Sequence, residues 1–232
     1  MADKVCMIIG GGRGMGAATA REMATKGYKL SIMSPSESCE KLAAELGGVA
    51  YRGKAENAAD TQALFDLTMQ TYGRIDAVFI NCGGPPKGDL LELSEEDWDR
   101  ANDMLVKPVI RVAKMVVPVM EKQGGGSIVN LTSYSAMEPS LMFPTSGVYR
   151  LAVSGFTRLI ADRYGPANIR MNCLLPGFTD SLDVGKFADL AAMKRIGRAE
   201  EQGKAAAFLL SDDSSFITGQ SLVADGGLNR HV

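Results

Sequence analysis

Apolar positions along the chain follow two alternating patterns. Short, nearly continuous apolar runs are typical of buried strands, and longer segments with apolar residues every three or four positions are typical of helices. The predicted strands lie in KVCMIIG (4–10), KLSIM (29–33), GVAYRG (48–53), IDAVFIN (75–81), GSIVNLTS (126–133), IRMNCLLPG (169–177) and QSLVADGG (220–227). The predicted helices lie in 15–26, 37–46, 58–72, 95–123, 145–164 and 200–210.

Strands and helices that alternate at this spacing indicate right-handed βαβ units and a parallel sheet. The runs AVFI, SIVNL and MNCLL are nearly continuous in apolar character, as expected for strands covered on both faces. No linker, internal repeat or low-complexity tract interrupts the order. We therefore predict an α/β fold, a single doubly wound domain over residues 1–232, with about seven parallel strands and helices on both faces.

Composition excludes several classes of protein. The 232 residues are 46% hydrophobic and 22% charged, with a formal net charge of −2, as in ordinary globular chains. No nucleic-acid partner is expected, because phosphate binding depends on clustered Lys and Arg. The first apolar run ends at Gly10 after about six residues, too few for a signal sequence or a membrane span. We expect no membrane association and a cytoplasmic location.

Cysteine and histidine usage argues against a metal site. Cys6, Cys39, Cys82 and Cys173 show no CxxC spacing, which favours reduced, mostly buried thiols. His231 is the only histidine, so neither a histidine metal site nor a Ser-His-Asp triad can be built within one chain.

A glycine-rich segment, IIGGGRGMG, follows the first predicted strand and opens the first helix. Gly10, Gly14 and Gly16 form a GxxxGxG pattern, with Gly12 inside it. Glycines permit a tight turn and close approach of the backbone to a pyrophosphate, and the helix N-terminus at Met15 supplies N–H groups. A purely structural turn is the alternative, but the position directly after the first strand favours a dinucleotide site.

Five ordered motifs between residues 4 and 230 resemble those of the short-chain dehydrogenase/reductase family. They are GxxxGxG; INCGG, with Asn81 and Gly83, where the family has NNAG; GSIVNLTS, with Ser133 at the family's catalytic serine; IRMNCLLPGF, with Pro176 and Gly177; and FLLSDDSSFITGQSLVADGG. The resemblance implies a Rossmann-type fold, a nicotinamide cofactor and a small-molecule carbonyl or alcohol substrate.

The resemblance also implies roles for particular segments. In the family, the residues around Asn81 and Gly83 brace the central strand beside the adenosine side of the cofactor. The loop after Pro176 and Gly177 covers the nicotinamide, with Ser181 where a threonine usually contacts the carboxamide. The helices in 108–123 and 145–164 are expected to pair into a homodimer or homotetramer, unless their apolar residues simply face the sheet. The segment 183–197 is interpreted as a lid.

The choice between NAD(H) and NADP(H) depends on charge near the adenosine ribose. An acid at the end of the second strand would bind the 2′-hydroxyl and repel a 2′-phosphate, but Ser34 and Ser36 lie there instead. Arg13, in the glycine segment, can make a charge-assisted contact with the phosphate. We predict a preference for NADP(H), the alternative being that Arg13 is a solvated loop charge.

The catalytic positions depart from the resembled family. There, a tyrosine thirteen residues after the serine acts as acid and base, and a lysine four residues later lowers its pKa and holds the ribose. The corresponding positions here are Ser146 and Arg150, and Leu105 replaces the family's helical asparagine. Only Ser133 is retained. Arg150 can bind ribose hydroxyls, but it cannot titrate near neutral pH.

The proton donor therefore has more than one candidate. A serine hydroxyl at Ser146 is too weak an acid to replace a phenol by itself. Tyr149 lies one turn beyond Ser146 on a shared helix face, and Tyr134 follows Ser133 directly. The alternative for Tyr149 is a ring packed in the core or in an interface. The GGPP segment after the fourth strand accompanies the same two substitutions in some members of the family, which indicates a divergent subgroup.

These observations predict an NADP(H)-dependent oxidoreductase that interconverts a carbonyl and an alcohol on a small or medium organic substrate. Its predicted catalytic residues are Ser133, Tyr149, Ser146 and Arg150. The alternative is a catalytically silent NADP(H)-binding protein, a sensor or an oligomer partner, because a fold and its cofactor loop can persist without chemistry.

Overall fold

The computed structural model describes residues 3–181 and 185–230; His231 lies outside the described residues. The strands are β1 (Val5–Ile9), β2 (Lys29–Ser34), β3 (Val49–Arg52), β4 (Ala77–Asn81), β5 (Gly126–Leu131), β6 (Ile169–Pro176) and β7 (Ser221–Ala224). The helices are α1 (Gly14–Thr25), α2 (Ser38–Leu46), α3 (Ala58–Tyr72), α4 (Glu95–Leu105), α5 (Lys107–Gln123), α6 (Pro144–Tyr164) and α7 (Ala199–Leu210).

The seven strands form one sheet in the order β3-β2-β1-β4-β5-β6-β7, and each neighbouring pair is parallel. The predicted doubly wound α/β fold is confirmed. The chain reverses its direction of progress across the sheet between β1 and β4, and ligands of such sheets bind outside the carboxyl ends of the strands at that point. Residues that follow β1, β4, β5 and β6 are therefore brought to one edge.

The core lies on both faces of the sheet, as the continuous apolar strands predicted. In β1, Met7 and Ile9 pack in one cluster with residues of α3, α5 and α6. Cys6 and Ile8, which alternate with them, pack in the other cluster with residues of α1, α2 and α7. Each of these four side chains is fully buried. Burial on both faces removes the polar alternation of a half-exposed strand.

The helical stretch predicted over 95–123 is present, and it consists of two helices. Helix α4 ends at Leu105 and α5 begins at Lys107, with Val106 between them at φ −95° and ψ −51°. Pro108 lies in the first turn of α5. Proline has no N–H to continue the preceding helix, and its ring crowds the turn before it. The apolar periodicity runs through this break, so the pattern alone does not show it.

All four cysteines are buried and free, as expected. Burial raises the pKa of the Cys82 thiol to about 12, so this thiol stays protonated at neutral pH. Within residues 3–181 and 185–230, no helix is both long and apolar enough to cross a membrane.

Candidate active site

The turn between β1 and α1 is held against the end of β4. The side-chain amide of Asn81 donates to the carbonyl oxygen of Gly10 over 3.1 Å. A Cβ on Gly10 would lie 2.2 Å from the Asn81 carbonyl oxygen, and a Cβ on Gly16 would lie 2.0 Å from that of Gly10. Gly10 and Gly14 also adopt positive φ values of +74° and +53°. Only glycine fits these positions without a shift of backbone.

The start of α1 is open to an anion. Arg13 precedes the helix with an extended backbone, no side chain caps the helix, and its first turn contains no acid. By contrast, Asn57 caps α3. The first N–H groups of a helix have no intrahelical acceptor and carry its positive dipole end. The uncapped turn of Gly14–Gly16 thus fits a pyrophosphate.

Hydroxyl groups, and no free acid, surround the end of β2. A Cβ on Gly12 would lie 2.3 Å from the Oγ atoms of both Ser34 and Ser38. Ser34 Oγ donates to the Ser36 carbonyl oxygen over 3.1 Å, and the Ser36 and Ser38 hydroxyls are 2.7 Å apart. The acid of this segment, Glu37, is paired with Lys41, whose hydrogen bond lowers the pKa of Glu37.

Arg13 is exposed beside this segment. Its side chain forms no ion pair with any residue in the described part of the chain. The guanidinium is therefore available to an anionic ligand.

A cavity of about 190 Å³ lies next to the glycine turn. Several residues predicted for the site line it together: Met15, Ser133, Ser146, Arg150, Pro176 and Gly177. They come from α1, from the segment after β5, from α6 and from the end of β6. A larger cavity of about 450 Å³ is lined by Lys4, Asp76 and Arg170, among others. These residues lie at the amino ends of the strands, at the edge opposite the glycine turn, so we assign the site by position and chemistry rather than by volume.

Ser133 is oriented by its neighbour Ser135. The Ser133 Oγ atom accepts hydrogen bonds from the backbone N–H of Ser135 over 3.3 Å and from its hydroxyl over 3.1 Å. Because both bonds occupy oxygen lone pairs, the Ser133 hydroxyl keeps its own hydrogen for an acceptor in the cavity. A substrate carbonyl oxygen is such an acceptor.

Ser146 and Arg150 form a pair on one face of α6. Arg150 Nε donates to Ser146 Oγ over 3.0 Å, and Nη1 donates to the Leu131 carbonyl oxygen over 2.8 Å. A guanidinium has five N–H donors, so three N–H groups have no acceptor among the described residues. Burial lowers the pKa of Arg150, because the neighbouring oxygens carry no full charge to offset desolvation.

The two candidate tyrosines lie in different surroundings. The Tyr149 ring is tilted against Trp98 of α4, with 6.0 Å between ring centroids, and Tyr149 is not among the described residues that line the cavity. Tyr134 does line it. Burial raises the pKa of Tyr134, and a hydrogen bond to Ser140 partly offsets this. Tyr134 therefore stays protonated at neutral pH.

The segment after β6 reaches the glycine turn. A Cβ on Gly177 would lie 2.9 Å from the Cα of Asp225, and a Cβ on Gly14 would lie 2.9 Å from the Cβ of Ser181. The Ser181 hydroxyl is 2.7 Å from that of Thr179. Of the predicted lid, residues 183–184 lie outside the described residues. Gly83, after β4, is exposed and does not line the cavity among the described residues.

Several lining residues are not evident as site residues from the sequence, among them Lys87, Thr145 and Phe178. Thr145 Oγ1 donates to the Pro86 carbonyl oxygen over 2.6 Å. This bond joins the GGPP segment to the start of α6. The two consecutive prolines were the available signal for a rigid segment at this position.

Comparisons with known proteins agree with this geometry. A family model described as Enoyl-(Acyl carrier protein) reductase matches residues 10–229. Dehydrogenase/reductase SDR family member 4 of Pongo abelii is 34% identical over 98% of this chain and 88% of its own length. Oxidoreductase UcpA of Salmonella typhimurium is 34% identical over 98% of this chain and 95% of its own length. The crystal structure of YwfH, described as an NADPH dependent reductase involved in Bacilysin biosynthesis, matches with a TM-score of 0.93, 25% identity and 100% coverage of both chains.

Proposed function

The chain belongs to the short-chain dehydrogenase/reductase family of oxidoreductases, and we propose that it uses NADP(H) to interconvert a carbonyl and an alcohol. The substrate is a small organic molecule. One observation carries this proposal: Met15 of the glycine turn, Ser133 and the Ser146–Arg150 pair line the same cavity. A cofactor held at the turn and a carbonyl held at Ser133 would then share that cavity.

The preference for NADP(H) rests on charge. The hydroxyls of Ser34 and Ser36 stand where an acid would repel a 2′-phosphate, and Arg13 is exposed beside them without an ion pair among the described residues. Arginine binds phosphate through charge-assisted and often bidentate hydrogen bonds. The similarity to YwfH, which is described as NADPH dependent, supports the same preference.

The residues of the cavity have distinct tasks in this proposal. Gly10–Gly16, Asn81 and Arg150 hold the cofactor, which supplies or accepts the hydride when bound. Ser133 donates its hydroxyl hydrogen to the substrate carbonyl oxygen and so orients it. The unused N–H groups of Arg150 stabilise negative charge that develops nearby.

The proton donor is a separate proposal within the same reaction. The Tyr134 phenol supplies the proton to the carbonyl oxygen, since Tyr134 lines the cavity directly after Ser133 in the chain. The assignment of Tyr149 stays a prediction.

A second function is favoured by a specific observation. Ser146 occupies the family's tyrosine position, and its oxygen already accepts from Arg150. Leu105, at the family's asparagine position, is buried. A catalytically silent NADP(H)-binding protein would show this combination. In the family's enoyl-reductase variant, the basic residue lies seven positions after the catalytic tyrosine. With Arg150 as that basic residue, the tyrosine would stand at position 143, which is Phe143 here. Enoyl reduction by this variant is therefore not proposed.

We also infer that residues 1–232 form one domain, because every strand within the described residues belongs to one sheet. A homodimer or homotetramer is proposed from an apolar stripe on α6. Val148, Leu151 and Leu159 recur along one side of that helix and are 52%, 55% and 66% exposed. The apolar residues of α5 are mostly buried against the sheet within the protomer. A cytoplasmic location remains a prediction from the sequence.

Fluorescence titration with NADPH and NADH tests the cofactor assignment. We expect NADPH to bind at least about tenfold more tightly, since hydrogen bonds to charged groups contribute about 1.5–3 kcal/mol. Arg13→Ala is expected to remove most of this difference in affinity, because it weakens the binding of NADPH and not that of NADH. Arg100→Ala, which removes an exposed arginine from α4, is the matched control and should change neither affinity.

Turnover on a panel of ketones, aldehydes and alcohols separates the two functions. Reduction of a carbonyl with NADPH supports the oxidoreductase. Tight NADPH binding without turnover on any member of the panel supports the silent protein. Equal affinity for NADH and NADPH would contradict the role of Arg13.

A further inference from the structure

One wall of the cavity consists of aromatic rings in mutual contact. The ring centroids are 6.5 Å apart for Tyr134 and Phe143, 5.5 Å for Tyr134 and Phe178, and 6.4 Å for Phe143 and Phe178. Phe187 stacks on Phe178, with 4.5 Å between the two ring centroids. Rings at these distances hold one another in tilted or offset orientations. They present a pre-formed apolar surface to a ligand.

The charged side chains that line the described cavity are all cationic. Among the described residues that line it, Lys87 and Arg150 are cationic and none is an Asp or a Glu. Arg150 bonds only to neutral oxygens. The Lys87 ammonium lies 5.0 Å from the centroid of the Phe143 ring, and no acid in the described part of the chain pairs with it. The described cavity is positively charged and offers a carboxylate two cations.

Lys87 is held in position by the segment before it. Pro85 and Pro86 restrict the backbone, and the carbonyl oxygen of Pro86 accepts from Thr145 Oγ1 over 2.6 Å. This contact ties the segment to the first turn of α6, where Phe143 immediately precedes the helix. The ammonium is thereby placed above the ring at the rim of the cavity. A cation over an aromatic face is attracted to the ring, but its N–H donors remain available to an anion.

We propose that the substrate is a ring-bearing carboxylic acid whose ring packs on Tyr134, Phe143 and Phe178 and whose carboxylate binds Lys87. The inference rests on the proposed function, because the carbonyl of the same molecule would lie at Ser133. The cavity of about 190 Å³ is shared with the cofactor in the proposed function and is already smaller than the roughly 300–1,000 Å³ of sites for drug-sized ligands, so the acid has one ring and a short chain. A compact lysine charge matches one carboxylate, whereas phosphates are commonly held by arginine forks and helix N-termini.

Binding of three unreactive probes to the full chain tests this assignment. Phenylacetate has a ring and a charge, phenylacetamide has the ring alone, and butyrate has the charge alone. Titration calorimetry is performed with and without NADPH. We expect phenylacetate to bind at least about fivefold more tightly than either of the others, as one charge-assisted contact and one buried ring each contribute.

Variants of Lys87 assign the charge to its residue. Lys87→Met keeps the apolar stem of the side chain. It is expected to weaken the binding of phenylacetate about fivefold or more and to leave the binding of phenylacetamide unchanged. Lys87→Arg is expected to retain the affinity. Lys114→Met, at an exposed lysine of α5, is the matched control. Both lysines are on the surface, so circular dichroism should show unchanged folding for all three variants.

Each outcome decides a specific point. Equal affinity for phenylacetate and phenylacetamide, or no effect of Lys87→Met, overturns the carboxylate site. Butyrate that binds as tightly as phenylacetate overturns the aromatic wall. Reduction of neutral ketones without Lys87-dependent binding of phenylacetate overturns this inference and leaves the proposed function standing. Lys87-dependent binding without any carbonyl turnover overturns the proposed oxidoreductase function and leaves the anion site standing.

Discussion

At the scale of single residues, the Ser146–Arg150 pair limits the chemistry available to the proposed reaction. Ser146, whose spacing from Ser133 is that of the family's tyrosine, accepts a hydrogen bond from Arg150 Nε over 3.0 Å. A cation near a hydroxyl favours its deprotonated form, but the pKa of an alcohol is too far from neutral for efficient general acid catalysis. In the proposed oxidoreductase, the acid therefore comes from another side chain, and Tyr134 is a phenol that lines the cavity.

Substitutions at the two tyrosines test this assignment. Tyr134→Phe is expected to lower the single-turnover rate about 100-fold or more, because a positioned general acid contributes about 10²–10⁴-fold. Tyr149→Phe should stay within about threefold of the wild-type rate, since its ring packs against Trp98 and loses only a hydroxyl. Rapid-mixing absorbance of NADPH measures both rates.

The expected rates have a control and a contrary outcome. Ser133→Ala should lower the rate without a change in NADPH affinity, because Ser133 contacts the carbonyl in this proposal and not the cofactor. A large loss of the single-turnover rate in Tyr149→Phe, together with a normal rate in Tyr134→Phe, would identify Tyr149 as the proton donor. The prediction made from the sequence would then hold.

At the scale of secondary structure, α7 begins with a carboxylate that serves two partners. Glu201 accepts a bidentate pair of hydrogen bonds from Arg195, at 2.9 and 2.8 Å. It also accepts the backbone N–H of Arg198 over 2.8 Å. The bonds from Arg195 are the main cause that lowers the pKa of Glu201 to about 2. A negative charge at a helix N-terminus is further stabilised by the dipole.

The depressed pKa of Glu201 predicts a pH-dependent contribution to stability. The contribution is full above the unfolded pKa of about 4.3 and declines as the pH falls towards about 2, since the unfolded chain then binds the proton first. Glu201→Gln is expected to lower the free energy of unfolding at pH 7 by about 1 kcal/mol, a value reduced for solvent screening. Urea denaturation at pH 7 and pH 3 should show a smaller difference at pH 3.

Glu200→Gln is the matched control for this measurement. Glu200 is the preceding residue, is exposed and forms no ion pair with any residue in 3–181 or 185–230. Its loss should change stability by less than about 0.5 kcal/mol at either pH. An effect of Glu201→Gln that is the same at both pH values would contradict the linkage.

At the scale of the whole molecule, the sheet order brings distant segments to one edge. Residues after β1, β4, β5 and β6 converge there, and the cavity is built from all four connections. The outer surface of α6 is the other large-scale feature. Its side toward the cavity carries Ser146 and Arg150, while Val148, Leu151 and Leu159 are exposed on another side.

The α6 stripe predicts a concentration-dependent assembly. The intact protein is expected to have a mass of two or four protomers of 24.7 kDa each. Leu151→Glu with Leu159→Glu should shift it to the protomer, because burial of two unpaired charges opposes association. Light scattering after size-exclusion chromatography measures the mass.

Leu91→Glu is the control for this surface, since Leu91 is 91% exposed and lies outside α6. It should leave the mass unchanged. A wild-type protein of protomer mass, or a double variant that keeps the assembled mass, would contradict the interface.

The sequence by itself determined the order of strands and helices, because apolar periodicity and glycine or proline punctuation are local signals. The helix 58–72 coincides with α3 (Ala58–Tyr72), and the glycine turn lies where the first strand ends. Only the tertiary structure decided which side chains share the cavity. Tyr149 is three positions from Ser146, yet packing of α6 on α4 directs its ring to Trp98. The segment that precedes Lys87 is held at the cavity by a hydrogen bond between Thr145 and Pro86, which are 59 positions apart. No local pattern encodes a contact at that separation.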